Sequence, residues 1–284
     1  MSRVEDTLAV FRRWLYLPDP GSVLVALGAY AANRLPGSPV WLLLVGAPGS
    51  GKTEPLSALA RLSDAHLAGT LTEASLLSGT PRKDAKGAKG GLLREIGEFG
   101  VIIAKDFTSV LNMNRDARAT TLAALREVYD GSWTRHVGSD GGRALPWQGK
   151  VGFIGAVTPT IDRAHAVTAA MGERFLYYRL PPIGAEAIAR TALRQQGRKA
   201  ALMRNELADA AAALVASSEG REPRELTSGA RGRVAGSPSS NVGTSRRSAG
   251  GSRSRTPRRT THSAGRPGGG AGVRSPAAPD QGVG

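Results

Sequence analysis

Short apolar runs bounded by glycine and polar residues predict the strands of a parallel sheet. They cover residues 41–45, 100–104, 150–158 and 175–180, with a weaker run at residues 66–70. Runs without polar alternation are typical of parallel strands that are buried on both faces. Because helical patterns separate these runs, the chain is predicted to be an α/β protein with a twisted parallel sheet.

Helices are predicted where apolar residues recur every three to four positions. The first two, separated by Pro18 and Pro20, form a predicted helical preface over residues 1–37. A later helix is predicted to begin with Asn114 as its cap. The predicted helices cover residues 4–16, 22–33, 52–61, 72–77, 114–129 and much of 183–217.

The segment after the first strand carries the clearest chemical signal. Its spacing, Gly46-x-x-x-x-Gly51-Lys52-Thr53, matches the P-loop pattern between a strand and a helix. Glycines at positions 46, 49 and 51 allow backbone conformations closed to residues with a Cβ, so that N–H groups and the helix dipole face phosphate oxygens. Lys52 would supply a charge for the β- and γ-phosphates, and Thr53 a hydroxyl for Mg²⁺. The residues predicted to bind the nucleotide are Gly46, Pro48, Gly49, Ser50, Gly51, Lys52 and Thr53.

A second motif follows the strand at residues 100–104. Asp106 follows this strand and would orient the water shell of the Mg²⁺ that Thr53 holds. Phe107 stands where such motifs usually have a glutamate, so a base for the attacking water must come from elsewhere or be missing. The candidate bases are Glu54, Glu95, Glu98 and Asp130. The sequence therefore leaves ATP hydrolysis open.

Two further residues are candidates for contact with the terminal phosphate. Thr158 ends the strand at residues 150–158, and it would face the γ-phosphate if this strand lies between the first strand and the Asp106 strand. Arg174 precedes the last strand and could act as an arginine finger on a neighbouring subunit; the alternative is a surface arginine with a carboxylate partner. The predicted catalytic residues are Lys52, Asp106, Thr158 and Arg174, and the predicted metal ligands are Thr53 and Asp106.

The charge distribution predicts a polyanionic partner. The net charge is +15, and residues 217–284 contribute +8 of it through 12 Arg and 4 acids. Such an excess in an ATPase favours nucleic acid, although it can also serve solubility alone. A basic loop with Arg82, Lys83, Lys86 and Lys89, and a hairpin with Arg135, His136 and Arg143, are the candidate DNA contacts. The alternatives are a solvated loop and a hairpin packed by its two tryptophans.

Residues 227–284 differ in composition from the rest of the chain. From residue 230 onward there is no Leu, Ile, Met, Phe, Tyr, Trp or Lys. Such a segment cannot bury a core and is predicted to be disordered. One interpretation is an arginine-rich arm that binds nucleic acid. Another is a frameshift in GC-rich coding DNA that replaced the C-terminal lid, of which residues 183–226 would form a part.

The chain has no cysteine, which excludes a disulfide framework, a thiolate nucleophile and a cysteine-based zinc site. No apolar run reaches the roughly 18 residues that a membrane span needs. Residues 1–6 lack the pattern of a signal peptide. These features predict a cytoplasmic protein that does not enter a membrane.

The order of these motifs resembles the AAA+-like branch of P-loop ATPases over about residues 38–182. Residues 105–108 and 129–133 are also similar to ATP-binding proteins of phages and mobile elements, which act in DNA replication or transfer. The resemblance implies a three-layer P-loop NTPase fold, ATP with Mg²⁺ as cofactor, a homo-oligomeric ring and helicase-like or translocase-like action on DNA. The missing glutamate and the incomplete lid leave two alternatives, an ATP-dependent switch or loader and a small-molecule kinase.

Overall fold

The computed structural model describes residues 3–79, 90–138, 142–182 and 199–218, and four helical residues at 186, 190, 191 and 193. Its strands are β1 (Trp41–Val45), β2 (Ala65–Ala68), β3 (Phe99–Ala104), β4 (Ser132–Val137), β5 (Arg143–Gln148), β6 (Lys150–Val157) and β7 (Phe175–Arg179). Its helices are α1 (Arg3–Trp14), α2 (Gly21–Asn33), α3 (Thr53–Leu59), α4 (Glu73–Leu76), α5 (Leu92–Ile96), α6 (Thr108–Leu111), α7 (Arg115–Tyr129), α8 (His165–Met171) and α9 (Lys199–Ala216). Short 3-10 turns cover Pro159–Arg163 and Gly172–Arg174.

Five strands form a parallel sheet in the order β2-β3-β6-β1-β7. In the register of β1, Val45 lies opposite Val157 of β6 on one side and Arg179 of β7 on the other. The predicted α/β class with a parallel sheet is therefore confirmed. In addition, β6 lies between β1 and β3, which is the condition set above for Thr158 to face the terminal phosphate. Because all five strands are parallel, their carboxyl ends share one edge of the sheet.

The side chains of β1 alternate between two hydrophobic clusters, one on each face of the sheet. Trp41, Leu43 and Val45 belong to the cluster that includes α7 and the tryptophans of β4 and β5. Leu42 and Leu44 belong to the cluster formed with α1, α2, α3 and α9. All five side chains are buried. Burial on both faces explains why β1 is a continuous apolar run instead of an alternating one.

The first cluster contains a group of packed aromatic rings. Ring centroids of Trp41, Phe107, Phe153 and Phe175 lie 5.2–5.7 Å from their neighbours. All five of these pairs are tilted or edge-to-face, and aromatic quadrupoles favour edge-to-face packing over a face-to-face sandwich. The indole Nε1 of Trp41 donates to the carbonyl oxygen of Val151 at 2.7 Å, so its polar atom is satisfied inside the core.

The second cluster contains α9, the described part of the predicted partial lid. Its side chains Met203, Leu207, Ala211 and Val215 are buried together with residues of α1, α2 and α3. The carboxylate of Glu206 accepts a hydrogen bond from Trp14 Nε1 at 2.6 Å. Residues 199–216 therefore complete the core on this face of the sheet. The predicted tail at residues 227–284 lies outside the described residues.

Two predicted elements are shorter in the structure. The helix predicted at residues 52–61 covers Thr53–Leu59, because the chain tightens into i→i+3 hydrogen bonds at Arg61 and Leu62 before it turns into β2. The strand predicted at residues 66–70 is Ala65–Ala68, since its partner β3 ends opposite Ala68. Among the described residues, no helix combines the length and apolar character needed to cross a membrane.

Other local predictions are confirmed. Asn114 caps α7, and its Oδ1 accepts a hydrogen bond from the N–H of Ala117 at 2.9 Å. At the start of the helix predicted at residues 72–77, Thr72 caps α4 and forms a reciprocal capping box with Ser75. The predicted hairpin is the antiparallel pair β4–β5, in which Trp133 lies opposite Trp147. Its turn at residues 139–141 lies outside the described part of the chain.

Candidate functional site

The candidate site lies at the carboxyl edge of the sheet, where the segments after four strands are held together. The N–H of Gly46, just after β1, donates to Val157 O of β6 at 3.1 Å. On the other side of β1, the N–H of Leu180 donates to Val45 O at 2.8 Å. The N–H of Phe107, after β3, donates to a β6 carbonyl at 2.7 Å. The loop from β1 to α3 therefore lies beside the ends of β6 and β7, and the end of β3 is joined to β6.

Glycines shape the loop at residues 46–51 in two different ways. Gly49 and Gly51 have φ angles of 76° and 82°, in the left-handed region that residues with a Cβ rarely adopt. The prediction that Gly46 also needs such a conformation is wrong, because its φ lies outside that region. A Cβ at Gly46 would instead lie 2.7 Å from Ser50 Oγ. A residue with a Cβ at position 46 would therefore displace Ser50 Oγ and crowd Leu180 Cβ, at 3.3 Å.

The side chain of Lys52 folds back over this loop. Its Nζ donates to the carbonyl oxygens of Gly46 and Ala47, both at 2.6 Å, and to Ser50 Oγ at 3.0 Å. Burial lowers the pKa of Lys52 below its ordinary value, and the carboxylate of Asp106 acts in the opposite direction. Asp106 follows β3, which is separated from β1 in the sheet by β6, so both residues lie at the carboxyl edge. The structure thus brings together Lys52 and Asp106, which are 54 positions apart in the chain.

The two predicted metal ligands offer the oxygen atoms that Mg²⁺ prefers. Thr53 is the exposed first residue of α3. Asp106 is also exposed, and its Oδ1 accepts a hydrogen bond from the N–H of Thr108 at 2.9 Å. Within the described ranges, no group of three or more His, Cys, Asp or Glu could hold a metal ion. The hydroxyl of Thr53 and the carboxylate of Asp106 have the donor chemistry that fits Mg²⁺.

Thr158 lies at the same edge, at the end of β6. Its N–H donates to Thr108 Oγ1 at 3.2 Å, and its own hydroxyl lies 3.4 Å from that oxygen. On its other side, the hydroxyl of Thr160 lies 2.6 Å away. Sequence reasoning missed Thr108 and Thr160. The available signal was their common position, two residues after Asp106 and Thr158, at the ends of adjacent strands.

Arg174 lies at the opposite edge of the sheet. It precedes β7, whose first residue pairs with Trp41 at the amino end of β1. A strand of five residues spans about 16 Å, so Arg174 is about that far from the loop of its own chain. Its guanidinium donates to both carboxylate oxygens of Asp130 at 3.0 and 3.1 Å and lies over the ring of Tyr129. Its position matches the surface arginine with a carboxylate partner, and a role toward a second copy stays a prediction.

Of the four candidate bases, Glu54 is the one that lies beside the loop. It is in the first turn of α3, where its Oε1 lies 3.5 Å from the guanidinium of Arg204. Glu95 and Glu98 lie in the segment that leads into the amino end of β3, and Asp130 is paired at the amino edge. Phe107 is 0 % exposed within the aromatic cluster, so a carboxylate at that position would enter an apolar environment.

The prediction that Arg135 lies on an exposed basic surface of the hairpin is wrong. This side chain points toward the body of the protein, where its Nε donates to Glu73 Oε1 at 3.0 Å and its Nη1 to Leu77 O at 2.5 Å. Alternation places Arg135 and Arg143 on the same face as Trp133, and both arginines are partly buried. His136 lies on the exposed face. The other predicted contacts, Arg82, Lys83, Lys86 and Lys89, lie outside the described residues.

Two arginines near the loop were not predicted. Arg179, opposite Val45, donates to both carboxylate oxygens of Asp162 at 2.7 and 3.0 Å, and these hydrogen bonds raise the pKa of Arg179 above its ordinary value. Arg204 of α9 approaches Glu54. Their positions depend on the register of β7 and on the packing of α9 against α3, neither of which is visible in a local pattern.

None of the protein-family models matches the chain, and neither does any curated protein sequence. Among solved structures, the chain is similar to two A form apo structures of the C-terminal region of NrS-1. The sequence identity is 14 % in both, with TM-scores of 0.37 and 0.39. Each match covers 78 % of this chain and 45 % of the other, so the chain spans less than half of that region.

Proposed function

We propose that this chain is a P-loop ATPase of the AAA+-like branch, with a three-layer α/β fold, that binds ATP with Mg²⁺ at the carboxyl edge of its sheet. The observation that carries the proposal is the convergence of three predicted residues at this edge. Lys52 lies over a glycine loop after β1, Asp106 follows β3, and Thr158 ends the strand between them. A glycine-rich loop between a strand and a helix would not by itself require a carboxylate and a hydroxyl at the ends of these particular strands.

Each residue then has a defined task. Lys52 would exchange its three contacts inside the loop for phosphate oxygens, and the N–H groups of the loop would surround the β-phosphate. Thr53 and Asp106 would hold Mg²⁺, which neutralises the charge that develops on the transferred phosphoryl group. Thr158 would donate its hydroxyl to the γ-phosphate or to the attacking water. Arg174 would complete the site of a neighbouring copy in a ring, once it leaves Asp130.

The proposed substrate of the motor is DNA, in the replication or transfer of a mobile element. The net charge of +15 supports a polyanionic partner. Contacts from the basic loop at residues 82–89 and from His136 belong to this part of the proposal. Arg135 does not, because its guanidinium is engaged with Glu73 and Leu77.

A second candidate is an ATP-dependent switch or loader with little hydrolysis. The burial of Phe107 favours it, since this position supplies no carboxylate to the site. The remaining candidate base near the loop, Glu54, lies close to Arg204.

The test combines nucleotide binding with turnover. Wild-type protein should bind a fluorescent ATP analogue in the presence of Mg²⁺, and Lys52→Ala should abolish binding or turnover. Lys105→Ala is the matched control, because Lys105 precedes Asp106 at the same edge and has no role in the proposed site. Phosphate release measured with and without single-stranded DNA then separates the motor from the switch. Undiminished DNA-stimulated hydrolysis in Lys52→Ala would defeat the proposal.

A further inference from the structure

Three threonine hydroxyls form a chain between the ends of β3 and β6. Thr108 Oγ1 lies 3.4 Å from Thr158 Oγ1, which in turn lies 2.6 Å from Thr160 Oγ1. The chain begins beside Asp106, because the N–H of Thr108 donates to Asp106 Oδ1 at 2.9 Å. Thr108 therefore contacts both the carboxylate of Asp106, through its N–H, and the hydroxyl of Thr158, through its own hydroxyl. The proposed site would turn these two groups toward the terminal phosphate.

The hydroxyl of Thr108 also extends the pairing between the two strands. Regular pairing of β3 with β6 ends at Ala104, and the N–H of Phe107 then donates to Ala156 O. Beyond that point, the N–H of Thr158 donates to Thr108 Oγ1 at 3.2 Å. A side-chain oxygen thus takes the place of a backbone acceptor, and the backbone of Thr158 stays attached to the segment that carries Asp106.

The three threonine hydroxyls have few protons to donate, and this limits what they can bind. Each threonine hydroxyl has one proton to donate and can accept two hydrogen bonds. Two bonds within the chain use two of the three protons, so one proton is left for an acceptor outside it. One acceptor position of Thr108 is already taken by the N–H of Thr158. This remaining donor suits a phosphate oxygen or a water molecule.

We infer that Thr108 is a positioning residue that lets the site distinguish a nucleoside triphosphate from a diphosphate. Its N–H holds Asp106 and its hydroxyl holds Thr158, so the carboxylate and the hydroxyl meet the terminal phosphate in a fixed relation. Thr108 acts through these two residues and does not itself touch the nucleotide. The inference rests on the proposed ATP site.

The test is the ratio of the Kd for ADP to the Kd for a non-hydrolysable ATP analogue, measured by calorimetry with Mg²⁺. Thr108→Val keeps the volume of the side chain but removes its oxygen, and it should lower this ratio roughly tenfold. Thr108→Ser keeps the oxygen and should stay within about twofold of wild type. Thr120→Val is the matched control, because its exposed hydroxyl donates to a backbone carbonyl of α7 at 2.9 Å, outside the site.

Thr158→Val also removes the hydroxyl that would face the terminal phosphate, so it should lower the ratio at least as much. The double variant with Thr108→Val should lose no more than Thr158→Val alone, because Thr108 acts through that hydroxyl. Additive losses, equal losses in the valine and serine variants of Thr108, or an unchanged ratio in Thr108→Val would each overturn the inference. If Thr108→Val does not fold, Thr108→Ala replaces it, since the residue starts a short helix at the surface.

These results separate the inference from the proposed function. A wild-type protein that binds no nucleotide would defeat the ATP site and this inference with it. Nucleotide binding with an ordinary preference for the triphosphate in Thr108→Val would defeat the inference alone. A wild-type ratio near one would also defeat it, because there would be no discrimination for Thr108 to support.

Discussion

Phe107 stands where the proposed class of ATPase usually has a glutamate, so Phe107→Glu tests whether a carboxylate can act from this position. Phe107 is 0 % exposed, and its ring centroid lies 5.7 Å from that of Phe153 and 5.5 Å from that of Phe175. Loss of a buried aromatic ring costs about 3–5 kcal/mol, and an unpaired buried charge adds further cost. Since domains are stable by about 5–15 kcal/mol, the variant should lose much of its free energy of unfolding.

The new carboxyl group would reduce this cost by remaining protonated, because burial raises the pKa of a glutamic acid. The folded state would then keep a proton that the unfolded state releases above about pH 4.3. Stability of the variant should therefore fall as the pH rises from there, more steeply than that of wild type. A protonated acid cannot accept a proton from water, so ATP turnover should not increase.

Urea unfolding followed by circular dichroism between about pH 5 and 8, alongside phosphate release, checks this prediction. Phe107→Leu is the control, since it keeps the position apolar and should cost about 1–2 kcal/mol. The reasoning would be refuted by a Phe107→Glu protein that unfolds like wild type at every pH and hydrolyses ATP faster. That result would mean that residue 107 turns toward the loop and away from the aromatic cluster.

Three further predictions concern other contacts. Gly46→Ala should weaken nucleotide binding in a binding assay, and adding Ser50→Ala should restore part of it, because the new Cβ clashes with Ser50 Oγ; no restoration would contradict the packing explanation. Tyr178→Phe should lower the free energy of unfolding by about 1 kcal/mol through loss of its aspartate partner. Burial and that partner raise the pKa of Tyr178 to about 12, so wild type, but not the variant, should lose this contribution between about pH 10 and 12 in alkaline unfolding; equal slopes would contradict it. Arg135→Ala should destabilise the fold by about 1–3 kcal/mol while changing polynucleotide affinity no more than His136→Ala does, and a selective loss of affinity would restore Arg135 to the DNA surface.

Predictions from local patterns agree well with the structure. The cap at Asn114 and the hairpin follow from contacts between residues close in sequence. The continuous apolar run of β1 follows from burial, which does not depend on a particular packing partner. The error at Arg135 was also local, since strict alternation with Trp133 places both on one face. That information was present in the sequence but was not applied to the arginines.

The sequence by itself determined which segments form the strands and that a glycine loop with Lys52 follows the first of them. Only the tertiary structure decided which residues meet this loop. Strand order and register place Asp106, Thr158 and Arg179 at the carboxyl edge, whereas Arg174 lies about 16 Å away at the other end of β7. The physical reason is that periodicity depends on burial within one segment. Which residues surround the end of a strand depends on pairing and packing between segments far apart in the chain.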